Sequence, residues 1–145
     1  MKRIMIIIIL SLSAIYSTTI GFIDSQLLLT KYNKAVTAQS ELAQQQKELQ
    51  DILVEKNKEL EDARKQDKSE EELLQLKDDL ESEVNKNRDE LLALNKKLSA
   101  EIENNIIAAT QKIAKKLRID VVLDKQVVIH GDVDLTSLVI SELNK

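Results

Sequence analysis

The chain predicts an α+β fold in which a long antiparallel α-helical hairpin, a coiled-coil tentacle, stands on a small β-strand oligomerisation body closed by a short C-terminal helix. Three observations predict it. The 145 residues contain two glycines and no proline, and the segment 22–130 contains neither. Without these punctuators nothing forces a helix to stop. Apolar residues through most of that segment recur at alternating steps of four and three among dense mixed charge. Beyond Arg118 the pattern changes to short β-rich runs.

The first residues precede the fold. Lys2 and Arg3 lead an apolar run from Ile4 to Leu10 that continues, diluted by Ser11 and Ser13, to Ile15. This is the n-region and h-region of a secretory signal, with cleavage expected after Ala14 or Ser17. The run is short of the ~20 apolar residues a spanning helix needs, so residues 1–17 read as a signal peptide rather than an anchor. An uncleaved segment would instead tether a coiled-coil spacer in the envelope, which is the alternative reading of the whole chain.

Residues 18–24 form the first body strand, with the β-branched and aromatic run Thr19–Ile23 at its centre. Asp24 and Ser25 then offer capping oxygens ahead of Leu27, Leu28 and Leu29. The hairpin arm is expected over residues 25–117. Its outgoing helix, Ser25 to about Gln66, carries the register Leu28, Tyr32, Ala35, Gln39, Leu42, Gln46, Leu49, Leu53, Lys56, Leu60, Ala63 and Asp67. Such a helix would be ~60 Å long. The tip is placed near 67–69, because Ser69 followed by Glu72 matches a capping box with Glu70, Glu71 and Glu72 in the first turn. One continuous helix is the alternative, since neither Gly nor Pro enforces the break.

The return helix repeats the four-three steps through Leu73, Lys77, Leu80, Val84, Asn87, Leu91, Leu94 and Leu98. Lys56, Lys77 and Asn87 interrupt the apolar seam, fixing register or loosening the arms. Past Leu98 the stripe becomes Ile102, Ile106, Ala109, Ile113 and Leu117, with an eleven-residue step that unwinds a left-handed supercoil. This lower segment is expected in the body.

Residues 118–145 supply the rest of that body. Ile119–Leu123 and Val127–His130 read as two strands joined as a hairpin through Asp124, Lys125 and Gln126, and Gly131 ends the second run. Asp134 or Thr136 caps a final helix with Leu135, Leu138, Val139 and Leu143 on one face. Three strands and one short helix make a thin core, so a partner subunit is expected to complete the sheet.

Composition excludes several functions. There is no cysteine, hence no disulfide, thiolate metal site or cysteine nucleophile. A net charge of −4, becoming −6 once Lys2 and Arg3 are removed, argues against nucleic acid as a partner. His130 stands without a second histidine, and Asp132 with Asp134 gives only a fragment of a calcium loop. No setting for a nucleophile appears, so an enzyme is not expected, nor a cofactor or metal. The cluster Lys112, Lys115, Lys116 and Arg118 suits a helix C-terminus. From Lys56 to Glu83 six basic residues face eleven acidic ones, so the tips are net negative.

The residues Ile20–Ser25 (IGFIDS), Ile113–Asp124 (IAKKLRIDVVLD), Val127–Ile129 and Asp134–Thr136 (DLT), in this order after an export signal, resemble the Skp/OmpH-like periplasmic chaperones. That resemblance covers the whole mature chain. It implies a homotrimer with a shared β-body and three arms around a cavity, an ATP-independent periplasmic holdase for unfolded outer-membrane proteins. It places Phe22, Ile23, Val121, Val122, Leu123, Val128 and Ile129 in the assembly body. Leu49, Leu53, Leu60, Leu73, Leu76 and Leu80 become the client-contact candidates on the arms. Family members with cationic tips differ from this chain, and its acidic tips argue against direct lipid binding and against electrostatic capture of acidic clients.

Overall fold

A computed structural model describes residues 18–66, 68–130 and 133–145. The signal segment 1–17, the centre of the tip at residue 67, and Gly131 with Asp132 therefore lie outside the described residues. The order of elements is β1 (Ile20–Ile23), α1 (Ser25–Lys31), α2 (Asn33–Lys65), α3 (Glu70–Leu117), β2 (Val121–Asp124), a short 3-10 turn (Lys125–Val127), β3 (Val133–Asp134) and α4 (Thr136–Leu143). The two arm helices span ~50 Å for α2 and ~70 Å for α3 at 1.5 Å per residue.

The expected outgoing helix is broken one turn above the body. Tyr32 takes an extended conformation, φ −78° and ψ 113°, between α1 and α2. The break leaves the Lys31 carbonyl and the Asn33 N–H without their helical partners. One side chain at the far end of the sequence satisfies both: Asn144 Oδ1 accepts from Asn33 N at 2.9 Å, and Asn144 Nδ2 donates to the Lys31 carbonyl at 2.8 Å. No periodicity in residues 25–66 signals this, because the compensating group comes from after α4. The other helix ends follow local chemistry. Asp24 accepts from Leu27 N at 2.9 Å to cap α1, and the capping box at Ser69 and Glu72 is formed at the start of α3. At its end Arg118 adopts the left-handed conformation, φ 58°, while Ile119 N donates back to the Ala114 carbonyl at 2.9 Å. A glycine commonly takes that place; here the following strand is positioned by an arginine instead.

The sheet has the order β2-β1-β3, and both neighbours run parallel to β1. This corrects the expected strand hairpin. Val127–His130 is not a strand: Asp124 accepts from Gln126 N at 2.8 Å and turns the chain into the 3-10 segment. The third strand is instead Val133–Asp134, too short and too polar to be distinguished from a cap by pattern alone. Parallel pairing also fits the connectivity, since β1 and β2 are separated by the entire arm.

The core lies where α1, the base of α3 and α4 meet the sheet. Leu28, Leu135 and Val139 are fully buried, with Ala109 and Ile113 beside them and Ile106, Ile119 and Val122 packed against the cluster. Leu138, expected on the buried face of α4, turns outward at 45% exposure, because Leu135 and Val139 already occupy that face. Gly21 is required by close approach: a Cβ there would stand 3.0 Å from Leu135 Cδ1 and 3.1 Å from Ile119 Cγ2.

Polar links secure α4. Asp134 accepts from Thr136 N at 2.9 Å, and Thr136 Oγ1 accepts from Asp24 N at 3.0 Å, joining the α4 start to the end of β1. Glu142 pairs with Lys112 of α3 and with Lys145. Hydrogen bonds from these two ammonium groups hold its carboxyl at about 2, below its ordinary 4.5. A carboxylate with a lowered folded-state pKa contributes fully above its ordinary value and loses that contribution as pH falls toward the folded value. We therefore expect wild type to melt above Glu142→Gln at pH 7, and the two melting curves to converge between pH 4.5 and about 2. Thermal circular dichroism across that window checks it.

Candidate functional site: an apolar groove along the arm

The arm is held by a seam between α2 and α3 that is closed at its base and only partly closed farther out. Ala35, Ala38, Ala63 and Leu80 are buried along it, whereas Leu42, Leu49, Ile52, Leu60, Leu73, Leu76 and Val84 are half-buried. At the base, Tyr32 Oη accepts from Asn105 Nδ2 at 3.0 Å, and Lys34 pairs with Glu101. Further out, Lys56 crosses the seam to Glu83 at 2.9 Å, which raises the pKa of its ammonium group. Lys77 stays on its own helix, 3.5 Å from Glu81, and Asn87 donates to the Glu83 carbonyl at 2.8 Å. Of Lys56, Lys77 and Asn87, Lys56 is thus the one that makes an ion pair between the helices.

On one side of this hairpin two clefts, of 320 and 480 Å³, share Leu60 and Lys77 and so form one groove toward the tip. Its floor is apolar: Leu53, Leu60, Leu73, Leu74, Leu80 and Val84. Lys56, Arg64, Lys77 and Arg88 line it together with Glu70, Glu71 and Glu81. Another cleft, of 420 Å³, is more polar, lined by Glu55, Lys58, Glu59, Asp62 and Lys68 with Ala63 and Leu76. The hairpin therefore has unlike flanks.

The structure distributes the six client-contact candidates unequally. Leu53, Leu60, Leu73 and Leu80 line the groove, although Leu80 is buried at 8% exposure and its side chain serves the seam. Leu76 belongs to the polar flank, and Leu49 is half-buried. Leu74, 62% exposed and lining the groove, escaped the sequence reading because it stands outside the heptad register. Val54 and Leu92, at 65% and 59% exposure, were missed for the same reason. An apolar residue off the seam of an otherwise charged helix was the available signal.

In the body, Phe22, Ile23, Val122 and Val128 are half-buried, and Val121 and Leu123 are exposed on edge strand β2. Ile129 is fully exposed, beside the exposed Val127, in the turn that replaces the expected strand. His130 is exposed, and among the described residues no cluster of His, Cys, Asp and Glu could hold a metal ion. Among the same residues no helix is long and apolar enough to cross a membrane.

Comparison with known proteins agrees with this architecture. No curated protein sequence matches the chain. A crystal structure from Caulobacter crescentus CB15, of a protein described as OmpH-like, superposes with a TM-score of 0.63 at 16% identity. The match covers 88% of this chain and 85% of that one, and shows the same fold. Residues 19–143, from the start of the sheet to the last turn of α4, match the family described as outer membrane protein (OmpH-like). With nearly all of its described body and arm inside that match, the chain belongs to the OmpH-like outer membrane protein family.

Proposed function

We propose that the protein is an ATP-independent holdase chaperone that keeps unfolded outer-membrane proteins from aggregating in the periplasm after its signal peptide is removed. The observation that carries this reading is the apolar groove on an arm that projects away from the body core. A half-open seam offers many weak apolar contacts without a deep pocket, and several arms acting together make such contacts jointly strong. The family match supports a chaperone role, and the Caulobacter protein is itself described as an outer membrane chaperone.

The working unit is a homotrimer. Supporting this, the three-stranded sheet leaves β2 and β3 as open edges, and Val121, Leu123, Val127 and Ile129 are exposed beside them. Unpaired edges with adjacent apolar side chains are what a neighbouring copy covers. Phe22, Ile23, Val122 and Val128 complete the proposed assembly body. Sedimentation equilibrium of the mature chain is expected to give three subunits, and the assembly should delay aggregation of a denatured β-barrel protein without ATP. A stable monomer that leaves aggregation unchanged would overturn the reading.

A further inference from the structure

We propose that the arm flexes where α1 gives way to α2, and that Asn144, carried by the body, is the clamp that fixes the arm's attitude there. The two rods of the hairpin differ at this level. α3 is continuous from the tip through Asn105 and into the core at Ala109 and Ile113. The outgoing rod is interrupted at Tyr32: α1 is held in the core by fully buried Leu28, and α2 lies in the arm seam through Ala35 and Ala38. A bend at this level therefore acts on one helix instead of two, and long helices accept gentle curvature. The interruption is short, since Tyr32 N donates to the Leu28 carbonyl at 2.8 Å and Val36 N donates to the Tyr32 carbonyl at 3.1 Å on either side of it. A single residue at the end of an element can absorb such a change of direction. With α2 spanning ~50 Å, a tilt of about 10° at its root moves the tip by about 9 Å.

Nothing local selects the break. Residues 25–38 contain neither glycine nor proline, the steps from Leu28 through Tyr32 to Ala35 keep the helical register, and Tyr32 precedes α2 without a side-chain capping bond. Its extended conformation is held from outside. The Tyr32–Asn105 hydrogen bond ties the joint to α3, whereas Asn144 grips both sides of it, the Lys31 carbonyl of α1 and the Asn33 N–H of α2. Bending the joint moves these two groups relative to each other, so one side chain bonded to both opposes it. Asn144 is in turn fixed to the body. Its own N–H donates to the Ile140 carbonyl at 3.1 Å, and Glu142, two residues earlier, pairs with Lys112 of α3. A cleft of 300 Å³ lined by Tyr32, Lys112, Glu142 and Leu143 leaves the joint loosely packed on the α4 side, where it has room to move.

The chain has no cysteine, so paired spin labels can be placed at chosen exposed sites of the mature protein. Gln45→Cys with Ser141→Cys spans the joint, and Gln45→Cys with Lys96→Cys stays within the arm. Labelled chain is diluted into unlabelled chain, so that each distance is read within one copy. Without further substitution both pairs are expected to give narrow distance distributions. Asn144→Ala should broaden the first and leave the second unchanged, and the Asn33 amide should exchange about tenfold faster once its hydrogen bond is lost. Asn33→Pro stiffens the joint by another route. Proline suits the first position of a helix and confines the preceding residue to the extended conformation that Tyr32 already has. Added to Asn144→Ala, it should restore the narrow distance across the joint. Equal widths with and without Asn144→Ala, broadening that survives Asn33→Pro, or broadening of the pair within the arm overturns the proposal. Loss of helical circular dichroism in Asn144→Ala that Asn33→Pro does not recover would make Asn144 a support of the body rather than a clamp, and overturns it as well. No client is present in these measurements, so the clamp stands or falls apart from the holdase reading.

Discussion

Leu135→Ala is expected to cost about 3–5 kcal/mol and to unfold the body at temperatures where the wild type is intact. Leu135 is fully buried, its Cδ1 stands where a side chain on Gly21 would otherwise be, and its N–H donates to the Phe22 carbonyl at 2.9 Å. Truncating a buried leucine removes its transfer free energy and leaves a cavity that relaxes only in part. Leu28, Leu135 and Val139 are the large side chains completely removed from solvent among the described residues, so little else can close over the gap. A domain of this size has only about 5–15 kcal/mol of net stability, and one such loss is a large share of it. Thermal circular dichroism should show the fall, with Leu92→Ala on the exposed arm surface as a control expected within about 0.5 kcal/mol. An unchanged melting curve for Leu135→Ala would mean that the body core lies elsewhere.

The same residues show why the sequence revealed some features and hid others. The helical arm was legible because its cause is local: four-three spacing, the absence of Gly and Pro between residues 22 and 130, and a capping box whose two members are three residues apart. The body was legible in composition and misread in topology. Val127, Val128 and Ile129 have strong β character, but Asp124 diverts the chain first, and β1 takes Val133 and Asp134 as its second neighbour. The break at Tyr32 was invisible because Asn144, which repairs it, is more than a hundred positions away. The groove fell between these cases. Its seam leucines follow the register, whereas Leu74 does not.

Leu80→Ala should separate the arm from the body. Leu80 is the large apolar side chain of the outer arm that the seam buries, at 8% exposure, with half-buried Leu60, Leu73 and Val84 around the same groove. The expected cost is about 2–3 kcal/mol, at the low end for buried leucines because Leu80 borders the open groove, where the site can relax. That loss should stay local. Beyond the base the arm helices hold each other by this thin seam and by the Lys56–Glu83 pair, while the core of Leu28, Ile113, Leu135 and Val139 is built from other elements. Regions with few buried apolar contacts open below the global free energy, as cooperative units. Hydrogen exchange should therefore accelerate through residues 49–60 and 73–87 and remain unchanged in β1, β2 and α4. If protection falls equally in the body strands, arm and body form one cooperative unit. On the proposed holdase reading, the groove offered to a client would then be rigid, rather than one whose flanks open at small cost.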